Sequence, residues 1–298
     1  MTQQNAVAVI GTGILGRAVA ERLCREGRSV LAYNRTASKA RPLETLGVTV
    51  VSEPEQAIAQ ASVSLLFLSD AEAIRSVLFA PHCAEAVRGK TIIQMGTIGA
   101  DESRALRDDI VRLGGDYFEA PVLGSMTEAR AGTLLVMVGG TEAQFDAWGP
   151  IFRSLSRHPV HVGAVGKAAA LKLALNQLIA SETAAFALSL GLVRRADVSI
   201  ELFMDILRKS ALYAPTFDKK LPRFLARNYA HPNFTTKHLL KDLMLFLGEA
   251  KRARLDAGAL EAVGGLLRRT IERGLDGGDY SSIYETIDPP EGDPNLTG

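Results

Sequence analysis

Apolar positions follow two regimes along this chain. Up to about residue 163 they come as short, nearly unbroken runs: AVAVI at 6–10, SVLAYN at 29–34, VTVV at 48–51, SVSLLFL at 62–68 and TIIQM at 91–95. DYFEAPV, GTLLVMVGG and HPVHVG continue the series. Such runs, with helix-compatible stretches between the earlier ones, predict strands of a mainly parallel sheet buried on both faces. From Val165 onward the strand signals nearly vanish. Apolar residues then recur every three or four positions in VSIELFMDILRKS, LPRFLARNYA, TKHLLKDLMLFLGEAKRARL and ALEAVGGLLRRTIERGL, the pattern of amphipathic helices packed together. Two domains follow: an α/β domain over 1–163 and an all-α domain over 164–298. No repeat of 20 to 50 residues is evident, and the Pro-, Gly- and Asp-rich tail IDPPEGDPNLTG is predicted to be mobile.

The two regimes meet in GKAAALKLALNQLIASETAAFALSLGL, residues 166–192, long enough for about seven helical turns. By length this is the one membrane-span candidate, but Lys167, Lys172, Asn176, Gln177 and Glu182 interrupt it. It reads as a buried interdomain helix, and no membrane association is expected. Lys172 and Asn176 are four residues apart, so they lie about 40° apart around the helix and point the same way. Lys167 is about 140° away from Lys172 and serves a different direction. Position alone leaves two readings, a snorkelling lysine beside a structural amide or a lysine whose desolvation makes it a proton donor near neutral pH.

GTGILG follows the first strand at once, placing Gly11, Thr12, Gly13, Ile14, Leu15 and Gly16 at the entry to a helix. Gly11 permits the tight turn, Gly13 admits a pyrophosphate close to the backbone, and Gly16 lets helix and strand pack closely. The helix N-terminus then offers free N–H groups to phosphate. The first domain is therefore Rossmann-type. NAD-specific sites tend to carry Asp or Glu at the end of the second strand, whereas Asn34, Arg35 and Thr36 stand here. With no carboxylate to repel a 2′-phosphate and a guanidinium able to bond one, the cofactor is predicted to be NADP(H). Leu68, Ser69 and Asp70, and then Gly96, Thr97 and Ile98, end two later strands on the edge where an open sheet receives its ligand.

Composition narrows the chemistry further. The 34 basic and 33 acidic residues leave a net charge of +1, which disfavours general nucleic-acid binding. Cys24 and Cys83 are too few for a disulfide scaffold, and no clustered Cys, His and Asp spacing suggests a metal. With no signal-peptide pattern at the N-terminus, a cytoplasmic location is expected. His82, His158, His161 and His231 lack matching partners and read as surface or structural; His238, on the FTTKHLLKDL helix, reads as a packing residue in preference to one that supports the site from behind.

The motifs VIGTGILG, YNRT, FLSDAEAIRSVLF, FEAPVLGSMTEARAGTLLVMVGG, GKAAALKLALNQ and FTTKHLLKDL run nearly end to end. Together they resemble the β-hydroxyacid dehydrogenase family, and within it the glyoxylate/succinic semialdehyde reductase branch. The resemblance implies that Lys172 is the catalytic lysine and Asn176 its partner. It implies that VLGS, with Leu123, Gly124 and Ser125, binds the substrate carboxylate, and that Phe234, Lys241 and Asp242 close the site, with Lys241 near the cofactor and Asp242 supporting the substrate pocket. Two positions depart from the family: Leu123 stands where Ser is common and Ala168 where Gly is frequent. The first replaces a hydroxyl that holds the substrate carboxylate, and it opens the way to a less polar carbonyl compound.

The expected activity is reduction of a small aldehyde or keto acid by NADPH, reversible as a hydroxyacid dehydrogenase, with Lys172 protonating the developing alkoxide. An imine reductase on the same architecture is the alternative, although such enzymes usually replace the lysine with Asp or Tyr. A 6-phosphogluconate dehydrogenase is disfavoured by the short chain and by KLALN, which lacks a Lys-x-x-His-Asn pattern. A non-catalytic NADP-binding module is the alternative from a different class. Burying the long Ala/Leu helix calls for more apolar surface, so a homodimer or higher homo-oligomer is expected.

Overall fold

A computed structural model describes residues 6–290. The chain divides into two compact units, Met1–Lys172 and Leu173–Gly298. Among the described residues the first holds nine strands: β1 (Ala6–Ile10), β2 (Ser29–Tyr33), β3 (Thr49–Val50), β4 (Val63–Leu66), β5 (Thr91–Gln94), β6 (Asp116–Glu119), β7 (Val122–Leu123), β8 (Leu135–Gly139) and β9 (Val160–Gly163). Their order is β3-β2-β1-β4-β5-β6-β8-β7, with β9 paired to β8. Pairing is parallel from β3 through β6, and β8 runs antiparallel to both β6 and β7.

The helices α1 (Ile14–Arg25), α2 (Pro54–Gln60), α3 (Ala71–Leu78), α4 (Pro81–Val87), α5 (Ala100–Arg112), α6 (Met126–Ala131) and α7 (Glu142–Leu155) belong to this unit. The central strands are apolar without alternation because both faces are covered. Val7, Val9, Ile10, Leu65, Leu66, Ile92 and Ile93 are all buried in one core. DYFEAPV is not one strand: it breaks at Ala120 and Pro121 into β6 and β7. Proline has no N–H to give a ladder, so it marks the break.

Helix α8 (Lys167–Arg195) begins in the first unit and continues into the second. It is long and apolar enough to cross a membrane by length and composition, and 44% of its most apolar window is buried within the protein. The second unit continues with α9 (Ile200–Lys209), α10 (Pro215–Ala226), α11 (Thr236–Arg252), α12 (Gly258–Thr270) and α13 (Tyr284–Ile287). Helix α10 starts six residues before the LPRFLARNYA segment predicted for it. Pro215 occupies its first position, where the missing N–H costs nothing and the fixed φ suits the helix, and Pro222 is accommodated inside. Two clusters hold this unit, one around Leu239, Leu243, Leu260 and Leu267 and one around Phe186, Phe217, Phe224 and Tyr284.

The mobile tail expected from Ile287 does not begin there. Asp288 is buried, receives hydrogen bonds from Tyr284, Arg194 and Arg195, and ties the end of α13 to α8. Residues 291–298 of that tail lie outside the described residues.

Candidate active site

The glycine loop is shaped by backbone contact. Gly11 has φ +96°, and a Cβ there would fall 2.5 Å from the Phe67 carbonyl oxygen. Its N–H donates to the Tyr33 carbonyl at 2.8 Å, while the Phe67 N–H donates to Ile10. The loop is thereby seated between the ends of β2 and β4. A Cβ on Gly16 would lie 2.0 Å from the Gly11 carbonyl oxygen, so this turn closes only around a glycine. Gly13 has nothing within 4 Å of its Cβ position and caps α1 without any side-chain bond. Gly13 and Ile14 are exposed, Leu15 is half-buried, and the N–H groups of the first turn of α1 are therefore open to an anion.

Asn34 organises the neighbouring loop. Its Oδ1 accepts the Thr12 N–H at 2.9 Å, and its Nδ2 donates to the Thr36 carbonyl at 3.0 Å. The amide thus fastens the glycine loop to the end of β2. Arg35 and Thr36 stay exposed beside it. Thr12 is buried, and its hydroxyl has no protein hydrogen-bond partner.

Further along the same edge, the turn at 67–69 meets the turn at 95–97: a Cβ on Gly96 would lie 2.7 Å from the Leu68 carbonyl oxygen. Ser69 donates to Asp70 at 2.7 Å, and Asp70 accepts the Ala73 N–H to cap α3. The structure therefore brings 11–16, 34–36, 68–69 and Thr97 to one edge of the sheet. These residues fit a dinucleotide: an uncapped helix start, a glycine with open space before it, a buried orphan hydroxyl and an exposed guanidinium past the second strand.

Ser125 caps α6 in a reciprocal box with Glu128. The Glu128 carboxylate accepts both the Ser125 N–H, at 2.7 Å, and the Ser125 hydroxyl. Gly124 has φ +133° and Leu123 is half-buried in β7. Of the polar groups expected in this loop, those of Ser125 are engaged within the protein.

Sequence reading missed Glu119, the last residue of β6. It is 1% exposed, its Oε1 accepts the Gly166 N–H at 2.8 Å and the Ala169 N–H at 3.0 Å, and its Oε2 accepts the Ser103 hydroxyl. Ser103 in turn accepts from the Tyr117 hydroxyl at 2.9 Å. Burial pushes the Glu119 carboxyl up from its ordinary value, against the lowering effect of these donors. The available signal was a helix start, GKAAAL, without a side chain able to cap it.

Lys172 stands in the second turn of α8 and is 8% exposed. In the second unit, the buried Asn176 donates from Nδ2 to Asp242 Oδ2 at 2.6 Å, and its Oδ1 has no protein partner. The Lys241 ammonium lies 2.9 Å from Asp242 Oδ1 as an ion pair. Phe234 packs against the His238 ring with 6.5 Å between centroids and meets Tyr280 edge-on at 5.9 Å. His238 bonds Thr235, the cap of α11, at 2.8 Å, and His161 bonds the Gly140 carbonyl at 2.8 Å. Among the described residues no cluster of His, Cys, Asp and Glu could hold a metal.

With an uncapped helix start behind the glycine loop, an exposed arginine just past the second strand and a buried lysine near the start of α8, the chain is an NADP(H)-dependent oxidoreductase. Residues 6–166 match the NAD binding domain of 6-phosphogluconate dehydrogenase, and residues 166–287 match the NAD-binding domain of NADP-dependent 3-hydroxyisobutyrate dehydrogenase. The chain belongs to the β-hydroxyacid dehydrogenase family. It is 30% identical over 283 residues to glyoxylate/succinic semialdehyde reductase 1 of Arabidopsis thaliana, covering 94% of this chain and 98% of that protein. The 3-hydroxyisobutyrate dehydrogenase of Salmonella typhimurium shares the fold with a TM-score of 0.85 at 20% identity, over 94% of this chain and 99% of that one. An imine reductase of Myxococcus stipitatus, solved with NADP+, shares it with a TM-score of 0.67 at 18% identity, over 95% and 99%.

Proposed function

We propose that the protein reduces a small aldehyde or keto acid with NADPH, and runs in reverse as a β-hydroxyacid dehydrogenase, with Lys172 as the proton donor. The observation that carries this reading is the buried lysine at the second turn of α8, in a chain that keeps a complete dinucleotide loop. When bound, NADPH supplies the hydride from its nicotinamide ring. The protein's part is to deliver a proton to the carbonyl oxygen as negative charge develops there. A positioned side chain that gives a proton to the reacting oxygen acts as a general acid. Arg35 and Thr36 receive the 2′-phosphate, while the N–H groups of 13–16 receive the pyrophosphate. In the second unit, Asp242 fixes the Asn176 amide, whose Oδ1 has no protein hydrogen-bond partner.

The loop at 122–125 offers the substrate the Leu123 side chain, and the N–H and hydroxyl of Ser125 are engaged with Glu128, which supports a less polar carbonyl compound. Glyoxylate and succinic semialdehyde, the compounds in the name of the Arabidopsis relative, head a panel that also holds other short aldehydes, β-keto acids and cyclic imines. Lys172→Ala is expected to lower turnover of the best carbonyl compound by about 100-fold or more, the range of a positioned general acid, while NADPH still binds. Near-normal turnover removes Lys172 from the mechanism, and faster turnover of cyclic imines replaces the carbonyl reading.

We further propose a cytoplasmic homodimer or higher homo-oligomer. Leu188 and Leu192, one turn apart on α8, are 65% and 70% exposed in the single chain, a face that a second subunit would cover. A monomeric mass in solution contradicts this.

A further inference from the structure

The start of α8 lacks the residues that normally satisfy a helix N-terminus. The N-cap position is Gly166 and the third helical position is Ala169. In a capping box the N-cap side chain takes the N–H of the third helical residue, whose own side chain returns to the N-cap N–H. Neither Gly166 nor Ala169 carries a side chain that can do this. Glu119 Oε1 does both, accepting from Gly166 at 2.8 Å and from Ala169 at 3.0 Å, from a strand 47 residues earlier.

The surroundings fix this carboxyl in turn. Ser103 on α5 donates to its other oxygen. Gly139, the register partner of Glu119 on β8, leaves the side chain its room: a Cβ there would fall 2.5 Å from Oε1 and 3.0 Å from the Ala168 Cβ. A Cβ on Gly166 would fall 2.2 Å from Arg104 on α5. One buried group therefore pins β6, α5 and the first turn of α8 together. Lys172 follows Ala169 by three residues, about 4.5 Å along the helix axis at 1.5 Å per residue.

We propose that Glu119 is the positioning residue for Lys172: by capping α8 from the end of β6, it sets the height and rotation of the turn that carries the proton donor. This rests on the reading of Lys172 as that donor. Glu119 does not touch the reacting atoms. It acts through the helix, and a displacement of about 1 Å at a reacting group can cost about 100-fold in rate.

The test is a double-mutant cycle on NADPH oxidation with the best carbonyl substrate of the panel. Glu119→Ala is expected to lower kcat at least about tenfold with the NADPH Kd changed less than about twofold. Glu119→Gln, which keeps an acceptor at Oε1 and a polar group toward Ser103, should restore kcat to within about threefold. In the Lys172→Ala background, Glu119→Ala should cost less than about twofold, since the group it positions is gone. Thermal unfolding identifies a variant that fails to fold. Glu119→Asp then replaces Glu119→Ala, because the shortened carboxyl withdraws from both N–H groups without leaving a cavity of that size. An equal loss with and without Lys172, or an unchanged kcat, overturns the proposal. Full activity of Lys172→Ala alone instead overturns the proton-donor reading beneath it.

Discussion

The glycine-loop edge of the first unit and the Asp279 corner of the second stabilise their polar architecture by different means. Along the sheet edge of the first, the glycine loop is set by main-chain contacts: Gly11 against Phe67, Gly16 against Gly11, Gly96 against Leu68. In the second, the corresponding work falls to buried charged side chains. Asp279 is fully buried, accepts from Lys220 at 2.6 Å and from the Ser281 hydroxyl at 2.7 Å, and has Arg223 at 4.0 Å. Lys220 also lies 3.9 Å from the centre of the Tyr280 ring. A site made of backbone is sensitive to added volume. A framework made of buried charge is sensitive to a missing partner.

The largest effect should come from that buried pair. Removing one member of a buried ion pair leaves the other charge without compensation, at a cost of about 3–5 kcal/mol. Asp279→Ala should therefore lower stability by that order, read by urea unfolding of the second unit. Lys220→Met added to Asp279→Ala should recover part of the loss, because no stranded charge remains. A double variant no more stable than the single would mean that the Ser281 bonds, and not the ion pair, hold this corner.

Two glycines sharpen the contrast from the other side. Gly16→Ala places a methyl 2.0 Å from a carbonyl oxygen, and forced overpacking of this kind costs about 1–3 kcal/mol. Gly13→Ala meets nothing within 4 Å, so stability should be unchanged while NADPH binding weakens. If both variants lose only cofactor affinity, or both only stability, the division of labour within the loop is wrong.

This difference also explains what the chain disclosed in advance. Strands buried on both faces leave unbroken apolar runs, and GTGILG is local, so spacing alone exposes it. The Lys172 and Asn176 pair was legible because helical periodicity puts residues four apart on one face, though periodicity could not choose between packing and catalysis. Glu119 was not legible, because its partners lie 47 and 50 residues away. Asp279 was hidden in the same way, with Lys220 59 residues off. The tail misled for a related reason: IDPP has the composition of a flexible end, yet Asp288 meets arginines from a helix more than 90 residues earlier. Local pattern records the backbone, while long-range carboxylates are recorded only by the fold.

Cofactor choice tests whether a charged side chain matters on this edge. Arg35 is exposed past β2, and Asn34 beside it is engaged with Thr12 and Thr36. Arg35→Ala should weaken NADPH binding about tenfold, about 1.4 kcal/mol, and leave NADH binding unchanged. Equal losses for both cofactors would assign Arg35 to the pyrophosphate or to folding, not to the 2′-phosphate.

The smallest effect, and the one with a signature in pH, is at Asp288. Burial alone would raise its carboxyl, but hydrogen bonds from Tyr284 and Arg195, with the charges of Arg195 and Arg194, outweigh it and hold the group below the usual carboxylate range. A carboxyl with a lowered folded pKa contributes stability above its unfolded pKa and loses it as pH falls through the folded value. Asp288→Asn should therefore cost about 1 kcal/mol at neutral pH. The gap to the unmodified protein should close as the pH is lowered below about 4, where the unfolded carboxylate protonates. Paired unfolding curves across that range decide the point: a gap that persists to low pH would mean that Asp288 anchors α13 by shape and hydrogen-bond geometry, and that the second unit depends on charge less than Asp279 suggests.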